Sequence, residues 1–181
     1  MSVRARRLDN EWKLLAQLAE HNPGVLEVVS RETLPDADVF HVILHRTSAL
    51  VLGDPPRLME LASHAIAFRY LSFYPSVPIE AFLTTPVFHP NVHPENGFVC
   101  LWDRFSSGDT IVEAIRKLQQ VVTWELWNDR VEHVMQPEAL EWDHAHLPLS
   151  FERLRSPVEL RLQPIYPVAP AESRRRRLSR D

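Results

Sequence analysis

The sequence predicts an α+β fold, and three observations carry that reading. An amphipathic helical stretch opens the chain. A succession of short apolar runs, joined by turn-forming residues, follows it. A second amphipathic helix comes after a long segment interrupted by prolines.

The elements follow in order. From about Arg4 to His21, Leu8, Trp12, Leu15 and Ala19 recur at the helical period, and Asn22-Pro23-Gly24 stops the helix. Val25 to Arg31 and Val39 to Arg46 read as strands. In the second, Phe40, Val42 and Leu44 alternate with His41, Ile43 and His45, and the turn-like link from Leu34 to Asp38 makes a hairpin. A third strand is expected over His64 to Leu71 and a fourth over Glu80 to Leu83. Between them Phe73-Tyr74-Pro75-Ser76-Val77-Pro78 is too proline-rich for helix or central strand. Pro86 to Arg104 reads as irregular chain, broken by Pro86, Pro90, Pro94 and Gly97. It nevertheless carries Val87, Phe88, Val92, Phe98, Leu101 and Trp102, which need burial. Thr110-Ile111-Val112-Glu113 has the form of a capping box. The helix it opens, with Ile111, Ile115, Leu118 and Val122 on one face, is expected to run to about Trp127. A further helix is expected from Pro137.

Length and composition fit one domain, residues 1–160, and a Pro/Arg-rich tail, residues 161–181, that carries four consecutive arginines, Arg174-Arg175-Arg176-Arg177, near its end. Hydrophobic residues make up 45% of the 181, enough for a core. The net charge of -4 gives no basic field, so nucleic acid is not an expected partner. No apolar run approaches the roughly 18 residues that span a bilayer, so no membrane partner is expected. The basic N-terminus leads into an amphipathic pattern and not into a signal-peptide stretch. A single cysteine cannot close an internal disulfide, and a reducing cytoplasm is the expected setting.

That cysteine, Cys100, sits within the packed irregular stretch, where loops tend to carry chemistry. Taken alone, it reads more readily as a small buried side chain than as a nucleophile. Nine histidines invite a metal reading, with His41 and His45 on one strand face and His144 near His146. No compact ligand spacing supports it, and no metal is expected. No glycine-rich phosphate loop is present, so no nucleotide cofactor is expected.

The ordered motifs narrow the choice. Tyr74-Pro75-Ser76-Val77-Pro78 is followed by His89-Pro90-Asn91-Val92, then by Gly97-Phe98-Val99-Cys100-Leu101, and then by a long helix. From about Arg4 to Trp142 the chain resembles the ubiquitin-conjugating (E2, UBC-like) enzyme family. It departs from the family's pattern at Trp102, where an aspartate often stands, and in a shortened segment from Arg104 to Gly108. These departures and the arginine-rich composition are similar to a remote, bacterial branch.

The resemblance implies an N-terminal helix, a four-stranded antiparallel meander, an irregular active-site loop and C-terminal helices. It implies that Cys100 receives a ubiquitin-like protein from an E1-like activating enzyme as a thioester and passes it to an amine or thiol of a protein substrate. It points to a bacterial antiviral-defence conjugation system that includes a deubiquitinase-like peptidase. Asn91 would stabilise the oxyanion or brace the loop. His89 and Pro90 would shape the loop. Asp129, just after the long helix, would orient the attacking amine and help deprotonate it, with Asp103 a lesser candidate. Two other functions stay open: a catalytically inactive E2-like scaffold, and a cysteine hydrolase, which needs a base beside the thiol such as His89 or His93.

Overall fold

The computed structural model describes residues 2–142 together with Leu154, Leu160 and Arg161. Helix α1 spans Val3–His21 and α2 spans Ile111–Val122. Five strands, β1 Leu26–Thr33, β2 Ala37–Val51, β3 Arg57–Leu71, β4 Glu80–Leu83 and β5 Phe98–Val99, form one antiparallel sheet in sequence order. The meander is therefore the expected one, with a short fifth strand added from the stretch read as irregular. The expected tail beyond Arg161, most of the segment after Trp142, and His144 and His146 lie outside the described residues.

The alternation in β2 sets the layers. Phe40, Val42 and Leu44 are buried, and across the register Phe68 and Ile66 join them on the same face. Leu8, Leu15 and Leu18 of α1 and Ile111, Ile115 and Leu118 of α2 complete one core with that face. Trp12 meets Phe40 edge-on at 5.0 Å, and Phe40, Tyr70 and Tyr74 stack in turn at 4.6 and 4.9 Å. Of these four, Phe40, Tyr70 and Tyr74 are buried, and burying a large apolar side chain contributes roughly 1.5–3 kcal/mol.

Three expectations need correction. Strands β2 and β3 run well past the predicted ends. The period-2 pattern breaks where Arg46 takes a left-handed φ of 55°, yet pairing resumes at Thr47↔Ala62 after a register shift. Helix α2 stops at Val122 and not at Trp127. Trp124 adopts φ 57°, turns the chain inward and donates its indole N–H to the Phe88 carbonyl at 3.1 Å. The capping box does not form either: Thr110 makes no side-chain cap bond. The first amide of α2 is met instead by the Glu11 carboxylate of α1, with Ile111 N to Glu11 Oε2 at 2.6 Å. Residues 137–142 are helical, as expected from Pro137.

Candidate active site

The segment after β4 is irregular in dihedrals but tied down by backbone bonds. Leu52 N donates to Pro86 O, Phe88 N to Leu50 O and His93 N to Phe98 O, at 2.8, 2.8 and 2.7 Å. Gly97 holds a φ of 70° and donates to His93 O, while Leu83 N donates to Gly97 O. Cys100 follows β5 directly. Its N–H donates to the Asn91 carbonyl at 2.9 Å, so the two motifs meet through their backbones. On the far side Trp102 donates its indole N–H to Ile79 O at 2.8 Å, with the Lys117 ammonium 4.2 Å above its ring. The residue that departs from the family's pattern thus anchors the chain just after the cysteine.

Asn91 is buried and fully engaged. Its Nδ2 donates to Asn128 O at 2.8 Å and to His133 O at 3.0 Å, and its Oδ1 accepts from Asn128 N at 2.7 Å. The side-chain amide therefore pins the chain that follows α2 over the active-site loop. Met135 N to Pro90 O at 2.7 Å, and Gln136 Nε2 to Val92 O at 2.7 Å and to Val87 O at 3.0 Å, fasten the same segment further on. With its donors spent on two carbonyls, Asn91 has the geometry of a brace.

His89 lies behind this loop, fully buried and against Trp124 at 4.7 Å. Its Nδ1 accepts from Asn91 N at 3.1 Å. Burial pushes its pKa down to about 3, against a smaller opposing pull from the Leu126 carbonyl. A ring that resists charge and lies out of solvent suits a structural place. His93 is likewise turned to its own loop, its Nδ1 accepting from Glu95 N at 3.2 Å.

The imidazole that reaches the sulfur belongs to His133, in the 3-10 turn Val131–His133. Its Nδ1 is 3.0 Å from Cys100 Sγ. Its Nε2 faces Asp103 Oδ1 at 3.9 Å, and that same oxygen accepts from Arg130 Nη1 at 2.9 Å. Burial raises the Cys100 pKa and the Asp103 charge raises it further, against the backbone N–H of Trp102, which lowers it. The free thiol is half-buried at the edge of a cleft of about 280 Å³ between the Cys100–Asp103 segment and residues 126–130. Asp129 lines that cleft and is exposed, and Leu126 and Trp127 lend it partly exposed apolar surface.

The fold thus gathers Cys100, Asn91, Asp103 and Asp129 at one cleft and sets His89 and Pro90 beneath it. No motif in the sequence singles out His133. It lies 33 residues beyond the cysteine in a polar stretch with no periodicity. Nothing local marks it; the Asn91 contacts and the Met135–Pro90 backbone bond bring it to the sulfur.

The chain is similar to a Trypanosoma cruzi protein named as a ubiquitin conjugating enzyme. The TM-score is 0.54 and the identity 18%, with 86% of this chain and 97% of that one covered. It is also similar to a Plasmodium yoelii protein of the same description, with TM-score 0.55, identity 17%, and coverage of 81% and 88%. No protein-family model and no curated protein sequence matches the chain. The architecture is therefore the UBC-like one that the motifs imply. Among the described residues, no helix is long and apolar enough to cross a membrane.

Proposed function

We propose that the chain is an E2-like conjugating enzyme. In this reading the Cys100 thiol attacks the thioester between an E1-like enzyme and a ubiquitin-like protein. The new sulfur–acyl bond forms as the E1 thiolate leaves. An amine or thiol of a protein substrate then attacks the Cys100 thioester, and Cys100 departs as thiolate. The observation that carries the reading is the placement of the three ordered motifs on a UBC-like fold, with Cys100 backbone-bonded to Asn91 at the edge of an open cleft. Asp129, on the cleft wall, orients the incoming amine. The system is a cytoplasmic, bacterial defence-type one in which adenylation belongs to the E1-like partner. A pure scaffold is the weaker reading, because it has no use for a half-exposed thiol at the cleft.

The test is adduct formation. Wild type, incubated with cognate E1, ubiquitin-like protein and ATP, forms a conjugate that thiol reductants release. Cys100→Ser forms one that they do not release, because an oxyester replaces the thioester. Absence of both adducts sinks the proposal. In the same assay Asp129→Asn leaves loading intact and slows discharge to free amine by about tenfold, less than a full general base contributes.

A second reading is favoured by one specific observation. His133 at 3.0 Å from Cys100 Sγ supplies the thiol–imidazole pair that a cysteine hydrolase requires. The loaded thioester separates the two. A conjugating enzyme passes its cargo to amines faster than to water, and a hydrolase discharges it at the same rate with or without amine.

A further inference from the structure

We propose that His133 is the proton acceptor for Cys100, with Asn91 as its positioning residue and Asp103 as a weak charge partner, so that this chain moves the reaction's protons through a thiol–imidazole pair. The inference rests on the conjugating reading for its substrate but not for its chemistry.

The geometry is specific. Nδ1 is the ring nitrogen at hydrogen-bond distance from Sγ, 3.0 Å away. The backbone that carries the ring is not free to drift, because Asn91 Nδ2 holds the His133 carbonyl and Pro90 O takes the Met135 amide. The buried asparagine thus positions the imidazole through main chain, across 42 residues of sequence. The charged groups around the pair are Asp103 from the segment after Cys100, and Asp129 and Arg130 from the segment after α2. Asp103 Oδ1 is 3.9 Å from His133 Nε2, an electrostatic contact and not a hydrogen bond, and it already accepts from Arg130. It is therefore a weak charge contact, shared with Arg130. Without an acceptor, burial and the Asp103 charge would keep the thiol protonated near neutral pH.

The steps balance. In loading, the Sγ–H proton passes to Nδ1 as sulfur bonds to the acyl carbon, and the E1 thiolate leaves with the electron pair of the broken bond. The imidazolium gives its proton to that thiolate or to water. In discharge, the attacking amine forms its bond to the acyl carbon and loses one proton to Nδ1. The carbon–sulfur bond breaks, and the imidazolium returns the proton to the departing Cys100 thiolate.

The experiment needs no partner protein. Cys100 is the only cysteine, so the rate at which iodoacetamide alkylates the intact chain reports this thiol alone. Wild type is expected to alkylate near pH 7 roughly tenfold faster than His133→Gln, and to keep that advantage at lower pH. His133→Gln is expected to retain only the steeper rise of an unassisted thiol at higher pH. Asp103→Asn, an exposed change, is expected to alter the wild-type rate by about twofold, in keeping with a weak surface ion pair. Circular dichroism confirms that each variant is folded. Equal rates and equal pH profiles for wild type and His133→Gln overturn the proposal, as does a faster His133→Gln, which would make the ring a shield. Because alkylation requires neither E1 nor ubiquitin-like protein, a negative result here leaves adduct formation on Cys100 standing, and the reverse also holds.

Discussion

At the residue scale, Asn91 and Gly97 show how much a single motif position can carry. Asn91 makes three hydrogen bonds from a buried amide, all to backbone. Asn91→Ala strands the Asn128 N–H and two carbonyls, and each buried group left unmet costs about 1–3 kcal/mol. The thermal midpoint is therefore expected to fall by several degrees, and Cys100 alkylation is expected to slow as the His133 segment loosens. An asparagine serving only as an oxyanion donor would leave the midpoint where it is. Gly97 is tighter still. A Cβ there would lie 1.9 Å from the Leu83 carbonyl oxygen, and φ is 70°. Gly97→Ala is expected to destabilise by more than about 3 kcal/mol in urea titration. Gly24→Ala is the control, since its φ is 72° but a Cβ would meet open space. It is expected to cost only the left-handed penalty of about 1 kcal/mol.

At the scale of elements, the link between α1 and α2 is the contact that no local pattern foretold. Glu11 is buried and accepts from Ile111 N, from the Tyr74 hydroxyl at 2.8 Å and from Arg7 Nε at 2.9 Å. Its carboxylate meets the N-terminus of α2, where the macrodipole also favours negative charge. Glu11→Ala leaves an arginine and two donors partly unmet, and denaturant titration is expected to show a loss of about 3–5 kcal/mol. Thr110→Ala, at the capping position the sequence pattern points to, is expected to change stability by less than about 0.5 kcal/mol, because Thr110 makes no cap bond. The opposite ranking of these two variants would restore the capping-box reading.

For the molecule as a whole, buried histidines set the response to acid. His89 is held neutral by burial with a pKa of about 3, and burial also lowers His64, whose Nε2 donates to Thr47 O at 3.0 Å. The unfolded chain protonates these rings near pH 6.5, so between there and about pH 3 it binds more protons than the folded chain. Their stabilising effect is complete above pH 6.5 and is lost as pH falls. At pH 4.5 the His89 contribution alone amounts to a loss of about 3 kcal/mol. Glu11 works in the opposite sense. Burial raises its carboxyl above the usual 4.5, so its contribution is lost as pH rises through the folded value. Urea midpoints taken from pH 7 to 4.5 are expected to fall steeply for wild type and less steeply for His89→Asn, which keeps an acceptor for the Asn91 amide. Parallel slopes would remove His89 as the cause.

The sequence by itself determined the helix–meander–loop–helix order, the inward face of β2 and the ordered motifs around Cys100. These are local properties, set by side-chain period, by proline and glycine at turns, and by spacing along the chain. It gave no sign of β5, since two residues carry no period. The half of β3 before His64 and the end of β2 past Arg46 were also hidden, because a bulge there resets which side chains face inward. Only the tertiary structure decided where α2 stops, that Glu11 caps it, and that His133 stands at the sulfur. Each of these depends on groups tens of residues apart that meet once the core is packed. A hydrogen-bond donor in sequence has many possible acceptors, and the fold, by excluding water from the rest, leaves it one.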